Sequence, residues 1–343
     1  MSKILITGGA GFIGSNLAHH LIRAGHNVSI YDNLSRPGAE ANLDWLQAAF
    51  GGRFHFIQAD VQDWEAVKGA ASGAEQIYHL ASQVAVTTSV ANPREDFEIN
   101  ALGTLNLLEA ARTVAADPIF VYASTNKVYG DMKDVGIEEE ETRYCYRDYP
   151  AGTPESYPLD FYSPYGCSKG TGDQYTRDYY RIYGLRTIVF RQSCIYGPRQ
   201  FGVEDQGWVA YFLIAATLNW PITIYGDGKQ VRDLLHVDDL IRAYALAVEQ
   251  IKVTAGQIYN LGGGPDFSLS IWAEFGPLIE ELLGRPVPVQ RGDGRPGDQK
   301  VFVADVRKAE QDLGWRPQIP PQKGIPRLLQ WVQENRHLFR PAA

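Results

Sequence analysis

Two side chains in this sequence have the types and the spacing for acid–base chemistry on a hydroxyl group. Tyr165 and Lys169 are four residues apart in a predicted helix that has Ser163 as N-cap, so the phenol and the ammonium share one helix face. A phenol with an ordinary pKa near 10 is a poor base at pH 7. Lowering that pKa by about three units requires roughly 4 kcal/mol of preferential phenolate stabilisation. We predict that the Lys169 ammonium supplies part of it.

A hydroxyl group upstream of this pair could join the same chemistry. Ser124 and Thr125 follow a predicted strand, and the carboxyl ends of parallel strands are where open α/β folds bind their ligands. A Tyr-x-x-x-Lys spacing is common by chance, so its meaning depends on the surrounding motifs.

The first 14 residues contain a strand, a glycine-rich turn and a helix start. Gly8, Gly11 and Gly14 give one dinucleotide pattern, and Gly9 with Gly11 and Gly14 gives another. Such a turn lets a pyrophosphate approach backbone N–H groups at a helix N-terminus. Asp32 ends the next predicted strand 18 residues after Gly14, where a carboxylate accepts hydrogen bonds from the adenosine ribose. These residues predict NAD binding.

Two further residues bear on the cofactor. Arg36, four residues after Asp32, leaves use of NADP open because a guanidinium could attract a 2′-phosphate, although the carboxylate repels one. Asp60 ends the third predicted strand, where it could meet the adenine edge or serve as a turn aspartate. With NAD bound, its cationic nicotinamide would join Lys169 in stabilising a Tyr165 phenolate.

Short β-branched runs alternate with amphipathic stretches up to residue 191, which predicts a doubly wound (Rossmann) parallel α/β sheet with helices on both faces. The predicted strands are residues 4–7, 28–31, 54–59, 76–80, 119–123 and 187–190. Helices predicted over residues 96–115 and 165–183 could each form a face for self-association into a homodimer or homotetramer.

The pattern changes after Gly197, where Gly/Pro-rich turns separate the predicted strands and helices. Strands are predicted over 222–225 and 257–260, and helices over 237–250 and 268–283. We therefore expect an NAD-binding domain at 1–191 that carries the Thr, Tyr and Lys side chains. A smaller α/β substrate lobe should occupy most of 192–343, with some segments returning to the first domain.

Composition excludes several classes of function. The net charge is −8 with no run of Lys and Arg, so nucleic acid is not an expected partner. No apolar run is long enough to span a membrane, and the N-terminus lacks a signal-peptide pattern, which predicts a cytoplasmic protein. Three cysteines without a CxxC spacing predict neither disulfides nor a zinc site. The acidic residues 138–141 are interpreted as a solvated turn, and no metal site is predicted.

The glycine turn, Asp32, Thr125 and the Tyr165/Lys169 pair, in this order, resemble the extended short-chain dehydrogenases/reductases. The resemblance is to the NAD-dependent epimerase/dehydratase family of nucleotide sugars and covers nearly the whole chain. It continues through residues 79–83, Asn100, residues 232–239 and residues 295–298. It implies that Thr125, Tyr165 and Lys169 are catalytic, and that two arginines hold the nucleotide diphosphate through guanidinium–phosphate hydrogen bonds.

The same resemblance implies two sets of binding residues. The cofactor contacts would be Gly8, Gly11, Phe12, Ile13, Gly14, Asp32, Asn33, Ser35, Arg36, Asp60, Val61, Leu80, Ala81, Gln83, Asn100, Ser124, Tyr165 and Lys169. The substrate contacts would be Gln83, Ser89, Thr125, Cys194, Arg199, Gln206, Tyr225, Arg232, Arg295 and Asp298.

The residues after Thr125 indicate which reaction to expect. In 4,6-dehydratases of this family an Asp-Glu pair follows the Thr and eliminates water, whereas this chain has Asn126 and Lys127, so dehydration is disfavoured. The segment 124–130, together with 199–209 and 298–305, resembles the subgroup of CDP-paratose (CDP-tyvelose) 2-epimerases. Cys194 stands where many UDP-sugar 4-epimerases have Asn, which weakens a transfer of their substrate contacts.

This subgroup implies inversion at C2 of a CDP-sugar through a transient 2-keto intermediate, with tightly bound NAD regenerated in each cycle. The alternative within the family is a UDP-sugar 4-epimerase. A catalytically silent NAD-binding regulatory protein is the alternative from another class, and the intact Thr125, Tyr165 and Lys169 argue against it.

Overall fold

A computed structural model describes residues 1–294 and 299–339. Its strands, in chain order, are β1 Lys3–Thr7, β2 Asn27–Asp32, β3 Phe54–Gln58, β4 Gln76–His79, β5 Ile119–Thr125, β6 Ile137–Glu139, β7 Tyr144–Tyr146, β8 Arg186–Gln192, β9 Cys194–Tyr196, β10 Thr223–Tyr225, β11 Val231–His236, β12 Gln257–Leu261, β13 Ser268–Ser270, β14 Gln290–Gly292 and β15 Val301–Phe302.

The α-helices follow the same numbering. They are α1 Phe12–Arg23, α2 Ala39–Phe50, α3 Trp64–Ala71, α4 Val86–Ala91, α5 Pro93–Phe97, α6 Gly103–Thr113, α7 Ser163–Tyr183, α8 Trp208–Leu218, α9 Val237–Glu249, α10 Ile251–Thr254, α11 Phe275–Leu283, α12 Arg307–Leu313 and α13 Pro321–Glu334. A π-helical turn, Glu98–Leu102, joins α5 to α6.

Seven parallel strands form the main sheet in the order β12-β8-β5-β4-β1-β2-β3. The core on one face receives apolar side chains from α1, α2, α9 and α12, and the core on the other receives them from α3, α6 and α7. Strands covered on both faces need near-continuous apolar sequence, which is what β1, β5 and β8 have. This confirms the predicted doubly wound α/β fold. The strand order reverses beside β1, and such a reversal opens a crevice at the carboxyl ends of the strands.

A second lobe follows β8 and has its own apolar core, to which α8, α11 and α13 contribute. In its small sheet β11 pairs with β13, β15 and β9, while β10 and β14 form a separate parallel pair. The chain then returns to the main sheet, because β12 pairs with β8 along its whole length.

The structure corrects three predicted elements. The strand predicted over 257–260 extends the main sheet to seven strands instead of six. The helix predicted over 268–283 begins only at Phe275, because the Ser268–Ser270 segment pairs with β11 as an antiparallel strand. The helix predicted over 96–115 is interrupted by the π-helical turn, which shifts the helical register next to Asn100.

The structure bears on the predictions about the acidic residues 138–141, metal sites and membrane-spanning segments. Residues 138 and 139 lie in the exposed strand β6 instead of a turn, and Glu139 forms an ion pair with Lys229. Within residues 1–294 and 299–339, no cluster of His, Cys, Asp or Glu could hold a metal ion. No helix in this part of the chain combines the length and the apolar character needed to cross a membrane.

Candidate active site

A cavity of about 600 Å³ lies at the carboxyl ends of the main-sheet strands and reaches the second lobe. All the predicted cofactor residues line it except Asn100. Of the predicted substrate residues, those that line it are Gln83, Thr125, Cys194, Arg199 and Gln206.

The glycine turn at one end of the cavity has no room for side chains at two positions. Gly8 has a φ of +67°, and a Cβ there would lie 2.7 Å from the Ala81 nitrogen. A Cβ on Gly14 would lie close to the Gly8 carbonyl oxygen, which is backbone and cannot move aside. The N-terminus of α1 therefore opens directly onto the cavity. This is the arrangement that binds a pyrophosphate through backbone N–H groups.

Asp32 ends β2 beside this turn, and its carboxylate is nearly buried. Its Oδ2 accepts a hydrogen bond from the Ala10 N–H at 3.0 Å, and its Oδ1 accepts one from the Leu34 N–H at 2.8 Å. Burial raises the pKa of Asp32, and these backbone donors oppose the rise. The carboxylate is thus fixed toward the cavity, where ribose hydroxyls could donate to its free lone pairs.

Asp60 is a turn aspartate that also lines the cavity. Its Oδ1 accepts from the Gln62 N–H at 2.9 Å, as a turn aspartate does, and its Oδ2 accepts from Asn33 Nδ2 at 2.7 Å. The same residue lines the cavity, so contact with an adenine remains a prediction.

Arg36 extends from the loop after β2 across the cavity. Its Nη2 donates to Gln206 Oε1 at 3.1 Å, which joins the dinucleotide side to the second lobe. A second bond joins the same pair of lobes nearby, where the Thr87 hydroxyl donates to Asp205 at 2.9 Å. Neither connection was predicted, because the residues are 170 and 118 positions apart in the chain.

The predicted acid–base residues meet at the floor of the cavity. Thr125 ends β5 and lines the cavity beside Tyr165, which is in the first turn of α7, and its hydroxyl lowers the pKa of the Tyr165 phenol. The helix begins at Ser163 itself, so the N-cap is Tyr162 and not Ser163 as predicted, although Ser163 Oγ accepts from the Gly166 N–H at 3.3 Å. The Tyr165 N–H donates to Ser89 Oγ at 3.1 Å. Ser89 thus holds the backbone of Tyr165 and does not line the cavity.

Burial makes the Tyr165 phenol harder to ionise than its sequence suggested. Desolvation raises the pKa of Tyr165 to about 12, while the Thr125 hydrogen bond and the Arg36 charge lower it. Bringing that pKa from about 12 to about 7 requires roughly 7 kcal/mol of phenolate stabilisation, compared with roughly 4 kcal/mol for an exposed phenol. Nearby positive charges must therefore stabilise the Tyr165 phenolate more strongly than the sequence alone indicated.

Lys169 lies one helical turn after Tyr165 and is also buried. Desolvation lowers its pKa to about 7, and the charges of Asp173 and Asp96 oppose that change. The Lys169 ammonium lies 4.4 Å from the centre of the Tyr122 ring, so a cation–π contact supports its charged form.

A buried ion pair closes the site beneath Lys169. Arg191 donates from Nε and Nη2 to the two carboxylate oxygens of Asp173, both at 2.9 Å. The Ser124 hydroxyl donates to the same carboxylate at 2.7 Å. Ser124 was predicted to contact the cofactor, and in this structure its hydroxyl faces Asp173.

Gln83 and Asn100 form a network behind the cavity wall. The Asn100 Oδ1 accepts from the Gln83 N–H at 2.9 Å, and the Asn100 Nδ2 donates to Asp96 at 3.1 Å. The Gln83 Nε2 donates to Asp96 at 2.8 Å. Asn100 is thus covered by protein, where it shapes the turn after β4, and direct cofactor contact by its side chain stays a prediction.

On the second-lobe side, Cys194 and Arg199 line the cavity. Trp208 donates from Nε1 to the Cys194 sulfur at 3.4 Å, and burial raises the pKa of this thiol, so it is no nucleophile. The Arg199 guanidinium lies 4.0 Å from the centre of the Trp45 ring, which is a cation–π contact that anchors it to α2.

The remaining predicted substrate residues lie outside the described cavity. The Tyr225 hydroxyl donates to Glu204 at 2.7 Å, and buried Arg232 donates from Nη1 to its neighbour's carbonyl at 2.7 Å. Arg295 and Asp298 lie outside the described residues. Their binding roles stay predictions.

Sequence reasoning missed Asp96, which lies at the centre of the Gln83–Asn100 network. Its position was visible as an acidic residue one helical turn before Asn100, but an acidic residue in a helix is normally solvated. Only the packing of α5 against α7 makes it a buried carboxylate.

Comparison with protein families assigns the chain. A family model described as GDP-mannose 4,6 dehydratase matches residues 5–328. The chain belongs to the NAD-dependent epimerase/dehydratase family. This confirms the resemblance carried by the glycine turn and the Tyr165/Lys169 pair, and it identifies the protein as an enzyme of that family.

Individual relatives include several activities. A CDP-paratose 2-epimerase of Salmonella typhi is 45% identical over 337 residues, covering 96% of this chain and 99% of the relative. A putative UDP-glucose 4-epimerase of Methanocaldococcus jannaschii is 32% identical, covering 97% and 99%. A dTDP-glucose 4,6-dehydratase of Escherichia coli is 33% identical, covering 97% and 93%. A nucleotide-sugar epimerase is the activity best supported by these relatives.

Solved structures give the same family and its cofactor. DesIV, a dTDP-glucose 4,6-dehydratase from Streptomyces venezuelae solved with NAD, superimposes with a TM-score of 0.84 at 30% identity, covering 99% of each chain. The UDP-glucose 4-epimerase of Thermotoga maritima solved with UDP-glucose has a TM-score of 0.83 at 30% identity, covering 97% of this chain and 99% of the other. NAD is the cofactor of this enzyme. The open glycine turn and the fixed Asp32 carboxylate fit its pyrophosphate and ribose.

Proposed function

We propose that this enzyme inverts C2 of a CDP-linked deoxy sugar, the CDP-paratose/CDP-tyvelose interconversion, by transient oxidation through tightly held NAD. The observation that carries the proposal is the Tyr165 phenol beside Thr125 and a buried Lys169, with the amide of Asn126 instead of a carboxylate directly after Thr125 in the chain. The 45% identity to a relative named CDP-paratose 2-epimerase supports the choice of sugar and nucleotide.

Residues of this chain remove the proton of the substrate hydroxyl group and return it. The phenolate of Tyr165 takes the proton of the C2 hydroxyl, and the Thr125 hydroxyl holds the reacting oxygen in line. Lys169 stabilises the phenolate by its charge. Bound NAD supplies a hydride acceptor and donor, so that C2 passes through a ketone. Tyr165 returns its proton to the oxygen when the other face of C2 is reduced.

The residues after Thr125 suit an epimerase and not a dehydratase. Asn126 accepts a hydrogen bond from the Thr125 hydroxyl at 3.3 Å, and the Lys127 ammonium lies 3.4 Å from Gln299 Oε1. An amide and an ammonium replace the acid and base that elimination of water needs. A keto sugar held here would keep its other hydroxyl groups.

We assign NAD to residues 1–191 and the nucleotide sugar mainly to the lobe formed by residues 192–343. Arg232 and Arg295 are the proposed ligands of the diphosphate, since two guanidinium groups could hold it while the sugar turns. Retention of the diphosphate would keep the keto sugar in the cleft between the two hydride transfers.

The substrate is tested by nuclear magnetic resonance in deuterated water. Purified protein without added cofactor is incubated with CDP-paratose, and in parallel with UDP-glucose. We expect inversion at C2 of the CDP-sugar with no deuterium at that carbon, because the hydride comes back from bound NAD. UDP-glucose should remain unchanged.

Two results would contradict the proposal. Deuterium at C2 would mean that the carbon is deprotonated by a base, which excludes an internal hydride transfer. Conversion of UDP-glucose without conversion of CDP-paratose would identify a 4-epimerase, the putative activity for which the Methanocaldococcus jannaschii relative is named.

We also propose that two or more copies of the chain associate through α7 and the helical segment 86–102. Among the described residues, seven of the eleven exposed large hydrophobic side chains lie on the helical segments 86–113 and 163–183. Phe97, Leu102 and Tyr175 are examples, with 56%, 38% and 48% exposure. A face of this kind on neighbouring helical segments is suited to bind its own copy.

Substitution of Tyr175 by Glu should shift the protein toward the monomer, because a charge buried at a symmetric interface meets its own copy. Val253→Glu, at an equally exposed apolar residue on the separate helix α10, is the matched control and should leave the assembly intact. Light scattering measures the mass of both. An unchanged mass for Tyr175→Glu would place the interface elsewhere.

The state of the cysteines supports a proposal for the cellular compartment of the protein. Cys145, Cys167 and Cys194 are all free thiols. Free thiols persist in reducing compartments, so we propose the cytoplasm.

A further inference from the structure

A carboxylate lies buried beside the catalytic pair without touching the cavity. Asp96 on α5 is 1% exposed. Its Oδ2 accepts from the Ser168 hydroxyl at 2.5 Å, and its Oδ1 accepts from Gln83 Nε2 at 2.8 Å and from Asn100 Nδ2 at 3.1 Å. Burial raises the pKa of Asp96, and the hydrogen bonds from Ser168 and Gln83 together with the Lys169 charge oppose the rise.

The three donors come from three separate parts of the active-site wall. Ser168 lies on α7 between Tyr165 and Lys169, Gln83 follows β4, and Asn100 is in the π-helical turn. Asn100 Nδ2 also donates to Ser168 Oγ at 3.1 Å, so the network is closed. The hydrogen bonds of Asp96 therefore connect the Tyr165–Lys169 turn of α7 to the loop after β4, which lines the cavity.

Asp96 differs from the other buried carboxylate near Lys169, Asp173, in that it has no ion pair with an arginine among the described residues. Asp173 is neutralised by its two hydrogen bonds to Arg191. Within residues 1–294 and 299–339, no Lys or Arg forms an ion pair with Asp96. Lys169 is the cation whose charge acts on it, and the Asp96 charge in turn opposes the fall in the pKa of buried Lys169.

Other groups facing this pair do not replace Asp96. Arg36, from the loop after β2, lowers the pKa of Tyr165, whereas the Asp96 charge raises it. His79 on β4 is neutral, because burial and the Lys169 charge lower its pKa to about 3. Tyr122 on β5 is un-ionised, since burial raises its pKa well above the usual range.

We propose that Asp96 is a positioning residue of the reaction, which holds the Tyr165–Lys169 turn through Ser168 and serves as the second counter-charge to Lys169. The inference rests on the proposed function in so far as Tyr165 is the base. It goes beyond that function because it assigns control of the ionisation of Tyr165 and Lys169 to a residue outside the cavity.

The test is Asp96→Asn, which keeps the shape of the side chain and removes its charge. Loss of the anion makes the Lys169 cation less favourable and the Tyr165 phenolate more favourable, so both pKa values fall. The active form has an ionised Tyr165 and a protonated Lys169, so the two limbs of the rate against pH follow these two pKa values. Both limbs of the pH profile should therefore move to lower pH by about one unit, the effect typical of one nearby charge.

The control variant is Glu98→Gln, which removes a half-buried carboxylate that is only two residues away and pairs with exposed Arg94. It should leave both limbs in place. Asp96→Glu retains the charge and should keep the wild-type limbs even if the rate is lower. Limbs unmoved in Asp96→Asn, with only a reduced rate, would overturn the electrostatic role.

A second readout does not need the substrate. The ultraviolet absorbance of tyrosinate is titrated in the NAD-bound protein, and the titration of Tyr165→Phe in the same background is subtracted because the chain has 19 tyrosines. The Tyr165 midpoint should fall in Asp96→Asn. An unchanged midpoint overturns the inference, whereas lack of turnover of any CDP-sugar by the wild-type protein overturns only the proposed function.

Ser168→Ala keeps the inference testable if Asp96→Asn does not fold. It retains the carboxylate but removes its shortest hydrogen bond, so we expect a rate at least several-fold lower with wild-type NAD content. A wild-type rate would show that the Asp96–Ser168 contact does not position the catalytic turn.

Discussion

Tyr165→Phe is expected to lower kcat by about a thousand-fold, within the range that a positioned general base contributes. Phenylalanine fills the same buried space and loses only the hydroxyl, which lies beside Thr125. The NAD content of the purified protein should stay at the wild-type level, since the turn at Gly8 and the Asp32 carboxylate are unchanged. Turnover of the nucleotide sugar and the NAD released on denaturation are measured together.

Tyr162→Phe is the matched control for this experiment. Tyr162 immediately precedes the same helix, is 47% exposed and does not line the cavity. The control should retain the wild-type rate. A Tyr165→Phe enzyme with more than a tenth of the wild-type kcat would contradict the role of the phenol as base.

Arg191→Met is expected to destabilise the fold by about 3–5 kcal/mol, the range for removing one partner of a buried ion pair. Arg191 and Asp173 are 3% and 0% exposed, so the abandoned carboxylate cannot be hydrated. Unfolding in urea, followed by circular dichroism, measures the free energy. Activity should fall as well, because the unpaired Asp173 then competes for the Lys169 ammonium.

Two further variants separate burial from charge. Arg94→Met removes one partner of an exposed ion pair with Glu98 and should change the free energy of unfolding by less than about 1 kcal/mol. The double variant Arg191→Met/Asp173→Leu removes both buried charges and should recover part of the lost stability. A loss in Arg191→Met as small as in Arg94→Met would refute the argument.

Local patterns in the sequence predicted the dinucleotide end of the molecule. The glycine turn, the strand before it and Asp32 lie within 32 residues, and each depends on neighbours close in the chain. The spacing of Tyr165 and Lys169 similarly needs only helical geometry. These features could be predicted because backbone sterics and hydrogen bonding act over a few residues.

Elements that depend on distant partners were predicted less well. Ser268–Ser270 is a strand because β11 pairs with it, and β12 belongs to the main sheet because β8 offers a free edge. The π-helical turn beside Asn100 likewise has no signature in the spacing of apolar residues. Long-range pairing overrode local propensity in these cases.

The sequence by itself determined the family, the parallel sheet and the identity of the Thr125, Tyr165 and Lys169 side chains. Only the tertiary structure decided that Thr125 lies beside Tyr165, that Arg36 reaches Gln206, and that Asp96 is buried under the Tyr165–Lys169 turn. It also decided the ionisation of the site, since the pKa of Tyr165 is raised to about 12 and that of Lys169 is lowered to about 7 by desolvation. Residue types and spacings set what chemistry is available. Burial and the charges brought from distant segments set its energy, because both depend on which parts of the chain exclude water together.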